Sequence, residues 1–350
     1  MNDAPISAPL PEGLAELHAG LLTLDTHIDI PWPAPPDPHG ATTRCVDIPK
    51  MREGGLWAGC FVAYIPQGPR TEAGHAAAIA RTVAMLEHIN AMARPDGERP
   101  VLVTPRVDDI RRAREQGAVA VIPVIENGYG IGTDLGNVER FANMGVRYMT
   151  LTHNGHNAIG DAAIPRGDLG DAPFLHGGLS AFGREVVAEC NRTGILVDIS
   201  HTSRETMLQA AEISKVPVVA SHSCVCALCN HPRNLDDVQL DVIRERGGVA
   251  QITAVPFFVR PHGRAETVRV GDFVDHIDYA VRRMGIAHVG ISSDFDGGGG
   301  FDGWRDASQT PNITAELMRR GYSKSDIEAL WAGNFLRAMR QAEEYADRHR

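Results

Sequence analysis

Asp25, His27 and Asp29 alternate in the segment LLTLDTHIDIPW, residues 21 to 32. On an extended strand, side chains two residues apart point the same way, so an imidazole would sit between two carboxylates on one face. Glu126, His153, His201, His222 and Asp294 each end another short apolar run. Histidine nitrogen and carboxylate oxygen suit zinc and its divalent relatives. His27 and Asp29 can point inward together, Glu126 has two oxygens and is the natural bridge, and His201 with His222 would complete a second ion. Asp25 would be the outer carboxylate that orients a ligand. Two ions about 3.5 Å apart would activate a bridging water and polarise a carbonyl. Amide hydrolysis needs one more device, a group that takes the water's proton and returns it to the leaving amine. Asp294 in SSDFDG stands in the right place, with Asp296 as its competitor. A single histidine at a strand end is more often a cap or a packed ring. Six or seven ionisable residues at corresponding ends are hard to explain by packing, because buried groups without compensation are costly.

These residues need elements that bring strand ends together. The segments 21–29, 54–65, 118–126, 146–153, 194–201, 217–223, 248–255 and 288–296 read as short, largely apolar strands. Helix-length segments separate them at 71–93, 107–116, 136–144, 178–193, 203–213, 236–246 and 272–284. A final helical pair, 312–320 and 325–343, follows. Eight such strands predict an α/β fold, a (β/α)8 TIM barrel with C-terminal helices, whose strands are covered on both faces and whose C-terminal ends share one mouth. No glycine-rich phosphate loop follows an early strand, and GGGG at 297–300 reads as a mobile loop. No repeat or linker divides the chain, so 1–350 is expected to be one catalytic barrel domain with its core at about 20–340.

The formal charge of −10 disfavours a nucleic-acid partner. No run of eighteen apolar residues predicts a membrane span, and the N-terminal segment has no basic start followed by an apolar stretch. A cytoplasmic protein is expected, with its six cysteines as thiols. Three of these lie in SCVCALC, read as packed thiols in preference to a zinc cluster, since no second cysteine pair has structural-site spacing.

With these residues laid out, the chain resembles the membrane dipeptidase (renal dipeptidase) family, peptidase family M19, of dinuclear zinc, amidohydrolase-like enzymes. The resemblance rests on THIDIPW, the glutamate of IEN, MGVRYMTLTHNGHN, FGREVVAECNRTGILVDISH, SHS, HPRN, RERGGV, HVGISSDFDG and GNFLRAM, in that order from about residue 20 to 340. It implies a (β/α)8 barrel with two zinc ions per chain, one on His27 and Asp29, the other on His201 and His222, bridged by Glu126. It also implies that His153 contacts the scissile carbonyl, that Arg233 of HPRN binds the α-carboxylate of a dipeptide substrate, and that Asp294 shuttles the proton. A guanidinium suits a planar carboxylate through two parallel hydrogen bonds. Family members cleave dipeptides, many with a D-residue at the C-terminal position.

The chain departs from its anchored extracellular relatives in ending with EEYADRHR, so anchoring is not carried over. It departs again in NGYGIG after Glu126, where Tyr129 is expected to alter the pocket wall, and in CVCALC, expected to tune the loop carrying Arg233. Metal-dependent hydrolysis of N-acyl amino acids or lactones is the alternative activity, and a non-catalytic binding protein the remote one. Barrels of this kind often dimerise, which leaves a homodimer open.

Overall fold

A computed structural model describes residues 10–97 and 99–349. Residues 1–9, part of the segment read above for a leader, lie outside the described residues. Nine strands run β1 (Leu24–Asp29), β2 (Ala58–Tyr64), β3 (Val101–Val103), β4 (Val119–Glu126), β5 (Tyr148–Thr150), β6 (Leu196–Asp198), β7 (Val219–Ser223), β8 (Val249–Thr253) and β9 (Val289–Ser292). Eight of them pair in parallel in the order β1-β2-β4-β5-β6-β7-β8-β9. The ring is drawn together by a parallel bridge from Ile28 to Phe295, with Asp29 N–H donating to Phe295 O at 3.0 Å and Asp294 N–H to His27 O at 3.1 Å. The result is the nearly closed eight-stranded barrel that the run of apolar segments predicts.

β3 was not anticipated. It is three residues of PVLVTP pairing with β4 off the ring, too short to show a period and bracketed by prolines. Along β2 and β4 the two faces separate cleanly. Cys60, Val62, Ile122 and Val124 join one apolar cluster, and Phe61, Ala63, Val121 and Ile125 another. Both faces are therefore apolar, which is why these strands read as continuous runs without alternation. The first cluster also takes Leu24, Tyr148, Leu196, Val219 and Val249 at strand starts, together with Phe335, Leu336 and Met339 of the last helix. That helix, Asn334–His349, packs against β6, β8 and β9.

The expected helices form, several of them with side-chain caps of the usual kind. Thr71, Ser180, Ser203 and Asp236 each accept a backbone N–H in the first turn, and Gly194 stops the helix before β6 in a left-handed conformation. Short helices at Leu14–Gly20, Ile48–Glu53 and Pro256–Val259 carry too few turns to register as periodic. The segment expected as one helix over 325–343 is Lys324–Glu328, a π turn over Ala329–Gly333, and then the last helix. Among the described residues no helix is long and apolar enough to cross a membrane.

Candidate metal centre

Three histidines arrive at the barrel mouth with their protons already committed. His27 Nδ1 lies 2.8 Å from the Tyr148 hydroxyl, which itself donates to Thr26 O at 2.9 Å. The hydroxyl therefore accepts from His27 Nδ1–H. Ser221 Oγ donates to Asp198 Oδ2 at 2.6 Å, so it accepts from His222 Nδ1–H at 2.8 Å. Asn154 Oδ1, which can only accept, meets His201 Nδ1 at 3.2 Å. With Nδ1 so committed, each ring turns its Nε2 into the mouth, where in the neutral tautomer it would present a lone pair.

All three Nε2 atoms converge on Glu126. Its Oε1 is 3.1 Å from His201 Nε2, 3.3 Å from His222 Nε2 and 3.7 Å from His27 Nε2. The two nitrogens of His201 and His222 are 2.9 Å apart. His27 Nε2 is buried and has no hydrogen-bond partner among the described residues. Acceptors packed this closely repel unless a cation or protons lie among them, and the donor set is that of a zinc site with its outer shell in place. The structure gives three overlapping groups able to hold an ion: His27, Glu126 and His222; Glu126, His153 and His201; and His27, Asp29 and Asp294. These residues fit two zinc ions.

The electrostatics of the metal-free cluster point the same way. Burial lowers His27, but Glu126, Asp29 and Asp294 outweigh it and push its pKa up to about 10. Burial, then the neighbouring Glu126, raises Asp29 well above the ordinary carboxylate range. Burial likewise raises Asp294 to about 7, against the pull of His27. Burial holds His201 and His222 well below the usual imidazole range. Stripped of a cation, such a cluster would hold protons in its place.

Asp25 differs from expectation. Its Oδ1 accepts the backbone N–H of His27 at 3.2 Å and of Ser293 at 2.9 Å, so it ties the end of β1 to the segment after β9. A register shift between Asp25 and Ile28 breaks the strict alternation that would have put it beside the ring. Tyr148, Asn154 and the Asp198–Ser221 pair orient the imidazoles in its place. The sequence reading missed these four. The available signal was Asp198, an acid inside the apolar run GILVDISH.

Asp296 is occupied elsewhere. It accepts the backbone N–H of Cys45 at 2.9 Å and of Val46 at 3.2 Å and pairs with Arg44 at 3.1 Å. The Asp294 carboxylate instead faces His27 Nε2 at 3.9 Å. His201, Asp294 and Asp296, with Asn127 beside Glu126, adopt left-handed φ values of 65°, 57°, 64° and 80°. Such conformations are uncommon outside glycine and cluster where a site imposes them.

The run at 297–300 is a hydrogen-bonded turn, where a mobile loop was expected. The N–H groups of Gly297, Gly298 and Gly299 all donate to Asp294 O, and that of Gly300 to Ala254 O. At Gly297 a Cβ would fall on Asp29 Oδ2 and Asp294 Oδ1. Glycine is needed there by the two carboxylates, since its φ lies outside the left-handed region. Gly297→Ala is expected to displace Asp29 and lower bound zinc from two ions to one per chain, with activity lost. Elemental analysis of the dialysed protein checks this, and two retained ions would refute it.

The surrounding pocket has a volume of about 560 Å³ and includes His153, Arg233, Asp294, Tyr64 and Phe258 in its lining. The His153 ring lies 4.0 Å from that of His201 and 4.8 Å from that of Tyr64. Burial lowers its pKa to about 4, so it is neutral at pH 7 and retains an N–H to donate. Arg233 Nη2 donates to His222 O at 3.3 Å, its guanidinium lies 5.3 Å from the Phe258 ring, and its buried Nε has no hydrogen-bond partner among the described residues. Burial lowers this arginine to about 10, which leaves it charged.

Tyr129 does not line this pocket. Its hydroxyl donates to Pro69 O at 2.7 Å and its ring meets His75, because Asn127 turns the chain away from the mouth. The thiols of SCVCALC each donate to a backbone carbonyl: Cys224 to Thr253, Cys226 to His231 and Asn234, and Cys229 to Phe257. Two of those carbonyls flank Arg233, so the segment braces its loop. No cysteine belongs to a metal-capable group among the described residues.

A family model for membrane dipeptidase, peptidase family M19, matches residues 12–350. Dipeptidase aclJ of Aspergillus oryzae is 34% identical over 308 residues, covering 86% of this chain and 71% of that protein. The crystal structure of the probable dipeptidase PvdM from Pseudomonas aeruginosa superposes with a TM-score of 0.89 at 29% identity, over 96% of this chain and 98% of the other. A metallo peptidase from Rhodobacter sphaeroides, liganded with a phosphinate mimic of the dipeptide L-Ala-D-Ala, gives 0.80 at 27% identity over 92% and 99%.

Proposed function

The chain belongs to the membrane dipeptidase family, and on that premise we propose that it is a zinc dipeptidase whose substrates include dipeptides with a C-terminal D-residue. The observation that carries this is the convergence of three imidazole Nε2 atoms on Glu126 Oε1, in a pocket that also holds the charged Arg233. We assign one ion to His27 and Asp29 and the other to His201 and His222, with Glu126 shared. When bound, the two ions would supply Lewis acidity, polarising the scissile carbonyl and lowering the pKa of water.

The chain's own groups supply the rest. Arg233, held by His222 O and backed by Phe258, offers its guanidinium to the substrate's free α-carboxylate. His153 is neutral and donates its N–H to the carbonyl oxygen, where negative charge develops. Asp294 Oδ1 takes the water's proton and delivers it to the departing amine. The Rhodobacter sphaeroides relative with its L-Ala-D-Ala mimic supports a dipeptide and the D-configuration. The six cysteines, all free thiols, support a reducing, cytoplasmic setting.

The test is kcat/KM of the zinc-reconstituted protein on L-Ala-L-Ala, L-Ala-D-Ala and N-acetyl-alanine. Turnover of the dipeptides, the L,D isomer included, with little on the acylated amine, is expected. Turnover of N-acetyl-alanine alone would replace this reading with an acylamino-acid hydrolase.

A further inference from the structure

Arg81, on the helix Glu72–Asn90, is the second arginine lining the same mouth. Its Nε donates to Tyr64 O at 3.2 Å, which pins the guanidinium at the end of β2. Tyr64 stands opposite Glu126 in the β2–β4 register, and its ring faces His153. On the outer surface Arg320 meets Asp275, Asp278 and Glu316, and Arg283 meets Asp237 and Asp241. Arg81 has no carboxylate partner among the described residues. Tyr64 offers it only a backbone carbonyl. A half-buried guanidinium that lines a pocket without an anion is poised for one from outside.

Its position relative to Arg233 sets which part of a substrate it meets. In the ring order, β2 and β7 are four strands apart in either direction, so their ends lie across the barrel from each other. Arg233 is bonded at the end of β7 through His222 O, and Arg81 at the end of β2 through Tyr64 O. Glu126, His153, His201 and His222 lie between. A dipeptide whose α-carboxylate meets Arg233 and whose scissile carbonyl lies over the cluster extends its N-terminal residue toward Arg81. The walls differ in the same sense, with Val255, Phe257 and Phe258 on the Arg233 side.

We propose that Arg81 forms a subsite for an anionic side chain on the N-terminal residue, so that dipeptides beginning with glutamate or aspartate are preferred. This rests on the dipeptidase reading above. The experiment compares kcat/KM for L-Glu-L-Ala and L-Gln-L-Ala, which differ in charge and hardly in shape, using wild type, Arg81→Gln and Arg81→Glu. A glutamate preference of about tenfold is expected in the wild type, because a charge-assisted hydrogen bond is lost with the amide. The ratio should fall to about one in Arg81→Gln, and Arg81→Glu should favour L-Lys-L-Ala. Equal rates for the two peptides in the wild type, or an unchanged ratio in Arg81→Gln, would overturn the subsite. If neither peptide is hydrolysed, the dipeptidase reading fails, and titration calorimetry with the same peptides decides the subsite separately. Tighter glutamate binding that Arg81→Gln abolishes would keep it, and equal binding would overturn it.

Discussion

Asp294→Asn is expected to lower kcat on a dipeptide by about a thousandfold, within the range for loss of a general acid–base group, while two zinc ions per chain and KM are retained. The substitution is nearly isosteric and removes only the ability to carry a proton. Its backbone should survive, because asparagine shares with aspartate an unusual tolerance of the left-handed conformation found here at φ 57°. The anchoring contacts are also main-chain ones: Asp294 N–H to His27 O, and three glycine N–H groups to Asp294 O. No neighbour can take over, since both carboxylate oxygens of Asp296 are held by the N–H groups of Cys45 and Val46. Zinc content and steady-state kinetics on the same preparation check the prediction. Loss of one ion would make Asp294 a ligand, as its place beside His27 and Asp29 permits. Unchanged kcat would move the proton to another group.

The strand ends were legible because the barrel's chemistry is polar against an apolar background. Glu126, His201 and His222 stand at or beside the ends of buried, largely aliphatic runs, and composition marks them. What orients them was not legible. Tyr148 starts β5 in the middle of MGVRYMTLTH, where an aromatic reads as core, and only the fold carries its hydroxyl 121 residues back to His27. Asp25 was misplaced because alternation assumes a regular strand, and β1 shifts register at that point. The glycine run misled in the opposite way. Flexibility is what four glycines suggest in isolation, but here close approach of Asp29 and Asp294 excludes a Cβ at Gly297. Tyr129 shows the same limit, since whether a side chain faces a pocket or the helix behind it depends on the turn that Asn127 makes.

Removing the metal is expected to abolish activity and to make stability fall with rising pH between pH 7 and 9.5. Without metal, His27 keeps its proton up to about pH 10 in the folded chain, against an ordinary value of 6.5, because burial is outweighed by Glu126, Asp29 and Asp294. Across that window the folded state binds a proton that the unfolded state has released, so stability falls as pH rises. Asp294, raised to about 7 from an ordinary 3.8 by burial, has the same sign but acts below the window. His201 and His222, lowered by burial, bind fewer protons when folded, and their effect is complete once the pH passes their ordinary value. Glu126, buried but held well below its ordinary range by His153 and His27, is ionised throughout. His27 therefore leads the slope of the metal-free protein, with Asp29 and, toward the top of the window, the buried thiols acting in the same direction. Zinc must displace that proton to reach Nε2, so its affinity rises with pH and offsets in the loaded protein the loss that the stripped one shows. Scanning calorimetry of chelated and reconstituted protein at pH 7, 8 and 9 should show the Tm gap widening, and an unbuffered zinc titration should release protons. A metal-free Tm that rises across this range would mean that the carboxylates do not hold a proton on His27, and that the cluster is not strained toward a cation in the way its geometry indicates.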